Sequence, residues 1–207
     1  MRVLILLILI LSSFKGMSQD NVTITHANYT TVFSVSKHYP IVVDWWLTKD
    51  RLSCVHLARV NTFAPDPQLP EQTNLSRDYA RSGYDRGHMC DDDDNQCQGS
   101  QIQRECFYFS NMAPQFHALN AGTWKALEGE SRKLALINDS IHIWAGSIGE
   151  VKKIGRVSVP GQCWKVIYIK KTGEYKAYIF QNTKDDSGNS NPETTLINIE
   201  NITGLKF

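Results

Sequence analysis

The chain has 207 residues, of which 42% are hydrophobic, so it is long enough for one domain with a real apolar core. Its 22 basic and 21 acidic residues nearly cancel, which excludes an extended basic surface and permits a local cationic cleft at most. The composition also excludes disordered, collagen-like and coiled-coil chains.

The N-terminus carries the first local signal. Arg2 precedes an aliphatic run, Val3 to Leu11, which is shorter than the about 20 apolar residues that cross a bilayer. We therefore expect residues 1–19 to be a secretory signal peptide, with a buried N-terminal strand or helix as the alternative. Secretion or export to the periplasm follows, and no later segment predicts a membrane span. Without Arg2 and Lys15, the mature chain has 20 basic and 21 acidic residues, a net charge of −1.

Five cysteines are spread along the chain: Cys54, Cys90, Cys97, Cys106 and Cys163. An exported protein can form disulfide bonds, but an odd count leaves at least one thiol unpaired or bonded to another chain. Cys90 and Cys97 are close enough in sequence to close a small loop. The sequence does not decide the connectivity.

Six segments have the residue pattern of β-strands: Tyr39 to Trp46, Ser53 to Phe63, Phe107 to Ser110, Ile141 to Ile148, Cys163 to Ile169 and Tyr175 to Gln181. Prolines end the second segment, and a loop rich in turn formers then runs to about Gly83. The last two segments are joined by Lys170 to Gly173, which is typical of a β-hairpin.

The strongest helix signal runs from Leu119 to about Ile137. Its apolar positions recur at three-, four- and seven-residue steps, as an amphipathic helix requires: Trp124, Leu127, Leu134 and Ile137. Asn120 is placed to be the N-cap, and Asn138 to Ser140 end the helix. Together the elements predict an α+β fold with a central antiparallel sheet and one long helix, in a single domain over residues 20–207.

Two polar segments stand out between these elements. One is Tyr84 to His88, and the other begins at Ser110-Asn111 and continues into the predicted helix. Within that helix, four residues at four-residue steps form one stripe, since each step drifts by only ~40°: Asn120, Trp124, Glu128 and Arg132. Phosphodiester hydrolysis needs a base for the water, charge neutralisation at phosphorus and an acid for the leaving oxygen. A histidine, arginines and a hydrated divalent cation can supply these groups.

Each residue taken alone has a simpler explanation. Glu128 and Arg132 match a solvated i,i+4 salt bridge, worth only ~0.3–0.5 kcal/mol. Asn120 alone is typical of a helix cap, and His88 alone of a surface or core histidine. The hypothesis therefore depends on the joint spacing of these residues.

In that joint spacing the chain resembles the DNA/RNA non-specific endonuclease family, whose members have a ββα-metal, or His-Me finger, active site. The matching segments are Asp85-Arg86-Gly87-His88, Ser110-Asn111-Met112-Ala113-Pro114-Gln115 and Leu119-Asn120-Ala121-Gly122-Thr123-Trp124. Glu128 and Arg132 follow Asn120 at the family's distances of eight and twelve residues. The resemblance covers about Val43 to Gln181, with weaker similarity around Arg59 and around Trp164-Lys165-Val166.

The resemblance implies an Mg²⁺-dependent endonuclease that cuts DNA or RNA with little sequence specificity. It implies His88 as the general base, Asn120 as the direct metal ligand and Glu128 as the residue that holds the metal's waters. Arg86 and Arg132 would face the phosphate and its developing charge. A water held by the metal would protonate the leaving 3′ oxygen, which leaves 5′-phosphate ends.

Further expectations follow from the same resemblance. Asn111 would orient His88 or the substrate, and Arg59 would add a phosphate contact. Asp85 and Gly87 would be structural residues of a turn that presents His88. Mn²⁺ and Ca²⁺ are alternatives to Mg²⁺, and the oligomeric state is open, with a homodimer among the options.

The run after His88 departs from the family. Many relatives continue with proline and alanine, whereas this chain has Met89, Cys90 and then four aspartates, Asp91 to Asp94. We expect a solvated acidic loop there, with a second cation such as Ca²⁺ as the less favoured alternative. Carboxylates beside a phosphate site repel the substrate, so they predict a narrower substrate range or a weaker affinity.

Three other functions compete with this one. A phosphodiesterase for small or non-nucleic substrates would have the same active site. A zinc module is a second alternative, with the ligands His88, Cys90, Cys97 and Cys106, although their spacing matches no familiar zinc pattern. A catalytically inactive nucleic-acid-binding protein on the same fold is the non-enzymatic alternative.

Overall fold

A large antiparallel sheet dominates the part of the chain that the computed structural model describes, residues 20–54 and 58–207. The expected signal peptide, residues 1–19, lies outside the described residues. The strands are β1 (Asn21–Thr25), β2 (Thr30–Ser34), β3 (Tyr39–Thr48), β4 (Asp85–His88), β5 (Met112–Gln115), β6 (Ser140–Ile148), β7 (Lys152–Ile154), β8 (Val157–Val159), β9 (Gln162–Ile169), β10 (Glu174–Gln181) and β11 (Glu193–Thr194). In the described ranges, no helix has the length and apolar character that crossing a membrane requires.

The helices are short, with one exception. They are α1 (Lys49–Leu52), α2 (Ser76–Tyr79), α3 (Ser100–Glu105), α4 (His117–Ala121), α5 (Thr123–Asn138) and α6 (Leu196–Thr203). The main sheet has the order β1-β2-β3-β6-β9-β10-β11, while β4 pairs with β5 and β7 with β8. All these strand pairs are antiparallel, so the predicted α+β fold with a central antiparallel sheet is confirmed.

The two faces of the sheet bury different layers. Side chains alternate along a strand, so Val43, Trp45 and Leu47 of β3 point to one face and pack in the same cluster as Trp124 of α5. On the opposite face, Ile199 of α6 packs in a second cluster with residues of β9 and β10. The first layer, between the sheet and α5, is the one that supports the polar motifs.

Four of the strand predictions are confirmed, and two are wrong. Strands β3, β6, β9 and β10 match the predicted segments to within one or two residues at each end. Ser53, Cys54 and residues 58–63 form no strand, because both edges of β3 are already paired, with β2 and β6. The Phe107 to Ser110 segment is a turn that runs into a 3₁₀ helix. Its pairing is limited to one isolated bridge between Tyr108 and Ala64, and its aromatic residues reflect burial in the core.

The long helix is interrupted where the sequence predicts continuity. Gly122 separates α4 from α5, because its backbone leaves the helical conformation, with φ −99° and ψ −114°. The residue there is glycine because a Cβ would collide with the carbonyl oxygen of Ala118 and with the Asp186 carboxylate. Asp186 caps α5 from a distant part of the chain, through the Thr123 amide at 3.2 Å and hydroxyl at 3.0 Å. Asn120 lies in α4, so its predicted N-cap role is wrong.

The buried face of α5 also differs from the predicted one. Trp124 and Leu127 are buried as expected, and Leu134 is partly buried against the same cluster. Ile137 is 70% exposed, because the buried stripe continues instead through Ser131 and Ala135 at four-residue steps.

A disulfide joins Cys54 to Cys97, 43 positions apart, so the connectivity that the sequence leaves open does not use the short Cys90–Cys97 loop. We expect the double variant Cys54→Ser, Cys97→Ser to lose about 2–4 kcal/mol of unfolding free energy, because a long loop is freed in the unfolded chain. Urea denaturation measures this loss. A reductant should lower the stability of the wild type and leave the double variant unchanged. Equal stabilities without reductant would contradict the expectation.

Candidate active site

The two polar motifs meet in a strand pair followed by helices. Strand β4 carries Asp85 to His88 and pairs with β5, which carries the first part of the second motif, up to Gln115. The expected turn at Asp85 and Gly87 is therefore wrong, since both residues are in a strand. Gly87 is required by a close approach, because a Cβ there would overlap the Gln115 side chain. Helices α4 and α5 follow β5, which completes a ββα arrangement.

A cleft of about 370 Å³ opens beside this arrangement. It is lined by six of the seven predicted site residues, namely Arg59, Arg86, His88, Asn120, Glu128 and Arg132. Asn111 does not line it. The cleft also contains Lys125, an exposed residue of α5 that sequence reasoning missed because its spacing relative to the other site residues carries no signal.

His88 lies at the end of β4 with only 7% of its surface exposed. Its ring packs against Phe107, edge-on at 5.0 Å between centroids, and against Phe63 at 5.7 Å. Its carbonyl oxygen accepts a hydrogen bond from Trp124 Nε1 at 3.1 Å, which joins the strand to α5. Among the described residues, its Nε2 has no hydrogen-bond partner.

Burial lowers the pKa of His88 to about 4, because a buried imidazolium loses hydration. The Asp91 carboxylate acts in the opposite direction, and the Arg59 guanidinium lowers the pKa further. At neutral pH the ring is therefore uncharged, so one of its two nitrogens carries no proton and is able to accept one.

Asn120 is oriented by Asp85. The Asn120 Nδ2 donates to Asp85 Oδ2 at 3.0 Å, and the exposed His117 ring lies 2.8 Å from the same carboxylate oxygen. Because the amide nitrogen is held in this way, the carboxamide oxygen is the atom of Asn120 that is available for a cation.

Glu128 and Arg132 are one helical turn apart on α5, but they do not form the solvated salt bridge that is the simplest explanation of their spacing. Glu128 is buried, and burial together with the Asp91 carboxylate raises its pKa well above the usual value. Arg132 instead donates from Nη1 to Asp91 Oδ2 at 2.5 Å and to Asp94 Oδ1 at 3.2 Å.

Arg86 lies over an aromatic floor. Its guanidinium carbon is 5.0 Å from the Phe63 ring centroid and 5.7 Å from that of Tyr79. Its Nε has no hydrogen-bond partner among the described residues. The planar cation is therefore supported by rings beneath it, with donors available at the cleft.

Asn111 is fully buried behind the cleft. Its Nδ2 donates to the carbonyl oxygens of Cys90 at 2.8 Å and Cys106 at 2.9 Å, while its Oδ1 accepts from the Cys90 amide at 2.9 Å. The side chain thus fixes the backbone two residues after His88.

The acidic loop, defined as Asp91 to Asp94, is not solvated, so that expectation is wrong. Asp91, Asp92 and Asp94 are buried, and only Asp93 has a substantially exposed side chain. Trp45 Nε1 donates to Asp94 Oδ2 at 3.0 Å, and Arg59 Nη1 lies 2.5 Å from Asp92 Oδ1. These long-range partners offset only part of the desolvation, because burial still raises the pKa of Asp92 and that of Asp94 to about 6.

The donor set restricts the kind of metal that the cleft could hold. Among residues 20–54 and 58–207, no group of three or more His, Cys, Asp or Glu side chains could hold a metal ion. Cys97, one of the four ligands of the zinc alternative, is bonded to Cys54 in a disulfide, so it has no thiolate to bind zinc. The Asn120 amide oxygen and the Glu128 carboxylate are hard oxygen donors in one cleft, which fits a cation such as Mg²⁺ that keeps most of its water.

The chain is similar to known nucleases in sequence, and to one solved structure in fold. A mitochondrial nuclease EXOG of Danio rerio is 36% identical over 161 residues, which cover 70% of this chain and 47% of that protein. A nuclease of Serratia marcescens is 29% identical over 204 residues, 90% of this chain and 74% of that protein. A solved structure of the EndoG/EndoGI complex contains a chain that matches with a TM-score of 0.79 at 25% identity, covering 89% of this chain and 84% of that one.

The chain spans about half the length of the first curated relatives it matches, 51% for EXOG of Xenopus laevis and 47% for that of Danio rerio. The family model for DNA/RNA non-specific endonucleases matches residues 10–207, nearly the whole sequence. The chain belongs to the DNA/RNA non-specific endonuclease family.

Proposed function

We propose that this protein is a metal-dependent endonuclease that hydrolyses phosphodiester bonds in DNA and RNA with little sequence specificity and leaves 5′-phosphate ends. Residues 20–207 would form a single nuclease domain. The observation that carries the proposal is the convergence of His88, Asn120 and Glu128 with arginines in one cleft. Family membership supports the reaction class.

In this proposal His88 is the general base. Its unpartnered Nε2 takes a proton from the attacking water, and the depressed pKa keeps the ring in the neutral form that this requires. Arg86 and Arg132 bind the non-bridging phosphate oxygens, and Arg59 contacts a neighbouring phosphate.

Asn120 would hold the cation directly, and Glu128 would hold its waters. Bound there, Mg²⁺, or Mn²⁺ or Ca²⁺ in its place, would neutralise phosphoryl charge and assist departure of the 3′ oxygen. Asp85 would be a positioning residue, because it fixes the Asn120 carboxamide. Asn111 would also be a positioning residue, because its contacts reach the backbone beside His88 and leave none for a substrate.

We also propose that the protein is exported. The leader predicted at residues 1–19 and the Cys54–Cys97 disulfide support an oxidising compartment, either the periplasm or the exterior. Several similar proteins are named as mitochondrial nucleases, so a mitochondrial location is the alternative. Fractionation of cells that express the full chain, with N-terminal sequencing of the product, distinguishes the two.

The pH profile follows from the burial of His88. Because its pKa is lowered to about 4, the basic form persists well below the pH at which an exposed histidine protonates. We expect the part of the kcat/KM profile that depends on His88 to fall only through about pH 4, whereas protonation of Glu128, whose pKa burial raises, lowers kcat/KM at a higher pH. Glu128→Gln separates the two effects: a fall near pH 6.5 that persists in this variant would contradict the assignment of His88, provided that circular dichroism shows the fold intact at each pH.

The proposed function is tested with two polymers and one small diester. The chain without its leader is incubated with supercoiled plasmid, single-stranded RNA and bis(4-nitrophenyl) phosphate, first with Mg²⁺ and then with excess chelator. Cleavage of both polymers that stops with the chelator is the expected result. Hydrolysis of the small diester alone would favour the phosphodiesterase, and binding without cleavage would favour the inactive nucleic-acid-binding protein.

A further inference from the structure

The acidic loop contacts the arginines that the proposed function assigns to phosphate. Arg132 has three carboxylates of the loop within 4 Å, those of Asp91, Asp93 and Asp94, and Arg59 lies against that of Asp92. Asp91 and Asp93 themselves line the cleft. The loop therefore holds carboxylate oxygens where two of the three proposed phosphate-binding arginines would otherwise hold phosphate oxygens.

The acidic side chains that line the cleft offset most of its positive charge. The cationic side chains are Arg59, Arg86, Lys125 and Arg132, and the carboxylates of Asp85, Asp91 and Asp93 oppose them. Glu128 also lines the cleft, but burial raises its pKa and favours its neutral form. Polyanion binding depends on an excess of positive charge, which releases counterions from the phosphates. Without a cation, the residues of this cleft provide little of that excess.

We propose that the acidic loop prevents nucleic acid from binding to the cleft when no cation is present. This inference rests on the proposed function and deepens it. Nucleic acid then binds productively only after a divalent cation has added its positive charge.

Rigid anchoring lets the loop act as a permanent counter-charge. Arg51 Nε donates to the Asp94 carbonyl oxygen at 2.9 Å, and the Cys54–Cys97 disulfide ties down the segment that follows. Asp92 and Asp94 are almost fully buried, so moving their arginine partners away would leave buried carboxylates unpaired. A phosphate must therefore either displace these carboxylates or bind through the donors that they leave free on each guanidinium.

The test is a binding measurement without cleavage. A short fluorescein-labelled DNA duplex is titrated with the chain without its leader, in excess chelator at fixed ionic strength, and fluorescence anisotropy gives Kd. The main variant is Asp93→Asn, because this carboxylate is the most exposed of the four and its loss should leave the fold unchanged. Asp139→Asn is the matched control, since it removes the same charge from an exposed site outside the cleft whose positive φ asparagine tolerates.

We expect Asp93→Asn to bind the duplex about three- to tenfold more tightly than the wild type, the effect of removing one like charge near a phosphate. Asp139→Asn should match the wild type. In a His88→Ala background with Mg²⁺, the gain in affinity that Asp93→Asn produces should shrink, because the cation then dominates the local charge.

Two results would overturn the proposal. One is equal affinity of Asp93→Asn and Asp139→Asn in chelator, and the other is tight binding of the wild type without any cation. Neither depends on catalysis, so a failure of the proposed nuclease activity, seen as intact plasmid in Mg²⁺, remains a separate result.

Discussion

Replacing His88 with alanine is expected to lower kcat for plasmid cleavage by about a thousandfold, within the range that general bases contribute. The reason is structural, since His88 Nε2 is buried at the cleft without a partner among the described residues and its neutral form is favoured. Duplex binding in Mg²⁺ should remain close to that of the wild type, because the arginines and Asn120 are unchanged. Single-turnover kinetics on supercoiled plasmid measure the loss.

His142→Ala is the matched control for this experiment. His142 is on β6, on the sheet face opposite the Val43 and Trp45 layer, where it stacks with Trp46 at 4.6 Å between ring centroids. His142→Ala removes the same side-chain atoms as His88→Ala but lies outside the cleft, so cleavage should stay near the wild-type rate. Circular dichroism and thermal unfolding should show both variants folded. Near-normal cleavage by a folded His88→Ala protein would refute the assigned base.

Replacing Asn120 with alanine is the second large expected effect. The change removes the amide oxygen proposed to bind the cation. It also removes the hydrogen bond that Asn120 Nδ2 donates to Asp85 Oδ2 at 3.0 Å. We expect kcat/KM at limiting Mg²⁺ to fall by at least about a hundredfold, since losing even an outer-shell partner of a metal costs ~10–100-fold. Raising the Mg²⁺ concentration should restore only part of the rate.

The measurement is a titration of activity against Mg²⁺, with calorimetric titration of the metal alone as an independent readout. Asn138→Ala serves as the control, because Asn138 ends α5 outside the cleft and its side chain donates to the Leu134 carbonyl oxygen. It should change neither curve. An Asn120→Ala protein with an unaltered Mg²⁺ titration would show that the cation binds elsewhere.

The sequence anticipates the main sheet and most of the cleft. Strands β3, β6, β9 and β10 carry strong β-branched and aromatic runs, and their side-chain pattern is local information. Helical spacing indicates that Asn120, Glu128 and Arg132 share a stripe, whereas the resemblance to the family implies the roles of all the site residues. Residues at four-residue steps on a helix share a face, and the structure brings Asn120, Glu128 and Arg132 to one cleft despite the break at Gly122.

The tertiary structure decides which partner each polar group takes. The composition of Asp91 to Asp94 predicts a solvated loop, yet their partners Trp45, Arg51 and Arg59 lie more than thirty positions away. The pairing of Cys54 with Cys97 is equally distant in sequence.

Asn111 follows the same rule, because its role depends on two backbone carbonyls that only the folded chain places within reach of one amide. Local spacing determines which side chains share a face of an element, and this sequence alone is enough to predict it. Desolvation and pairing energies, in contrast, depend on what the fold packs against each group, so the neutralised arginines and the buried loop become visible only in three dimensions.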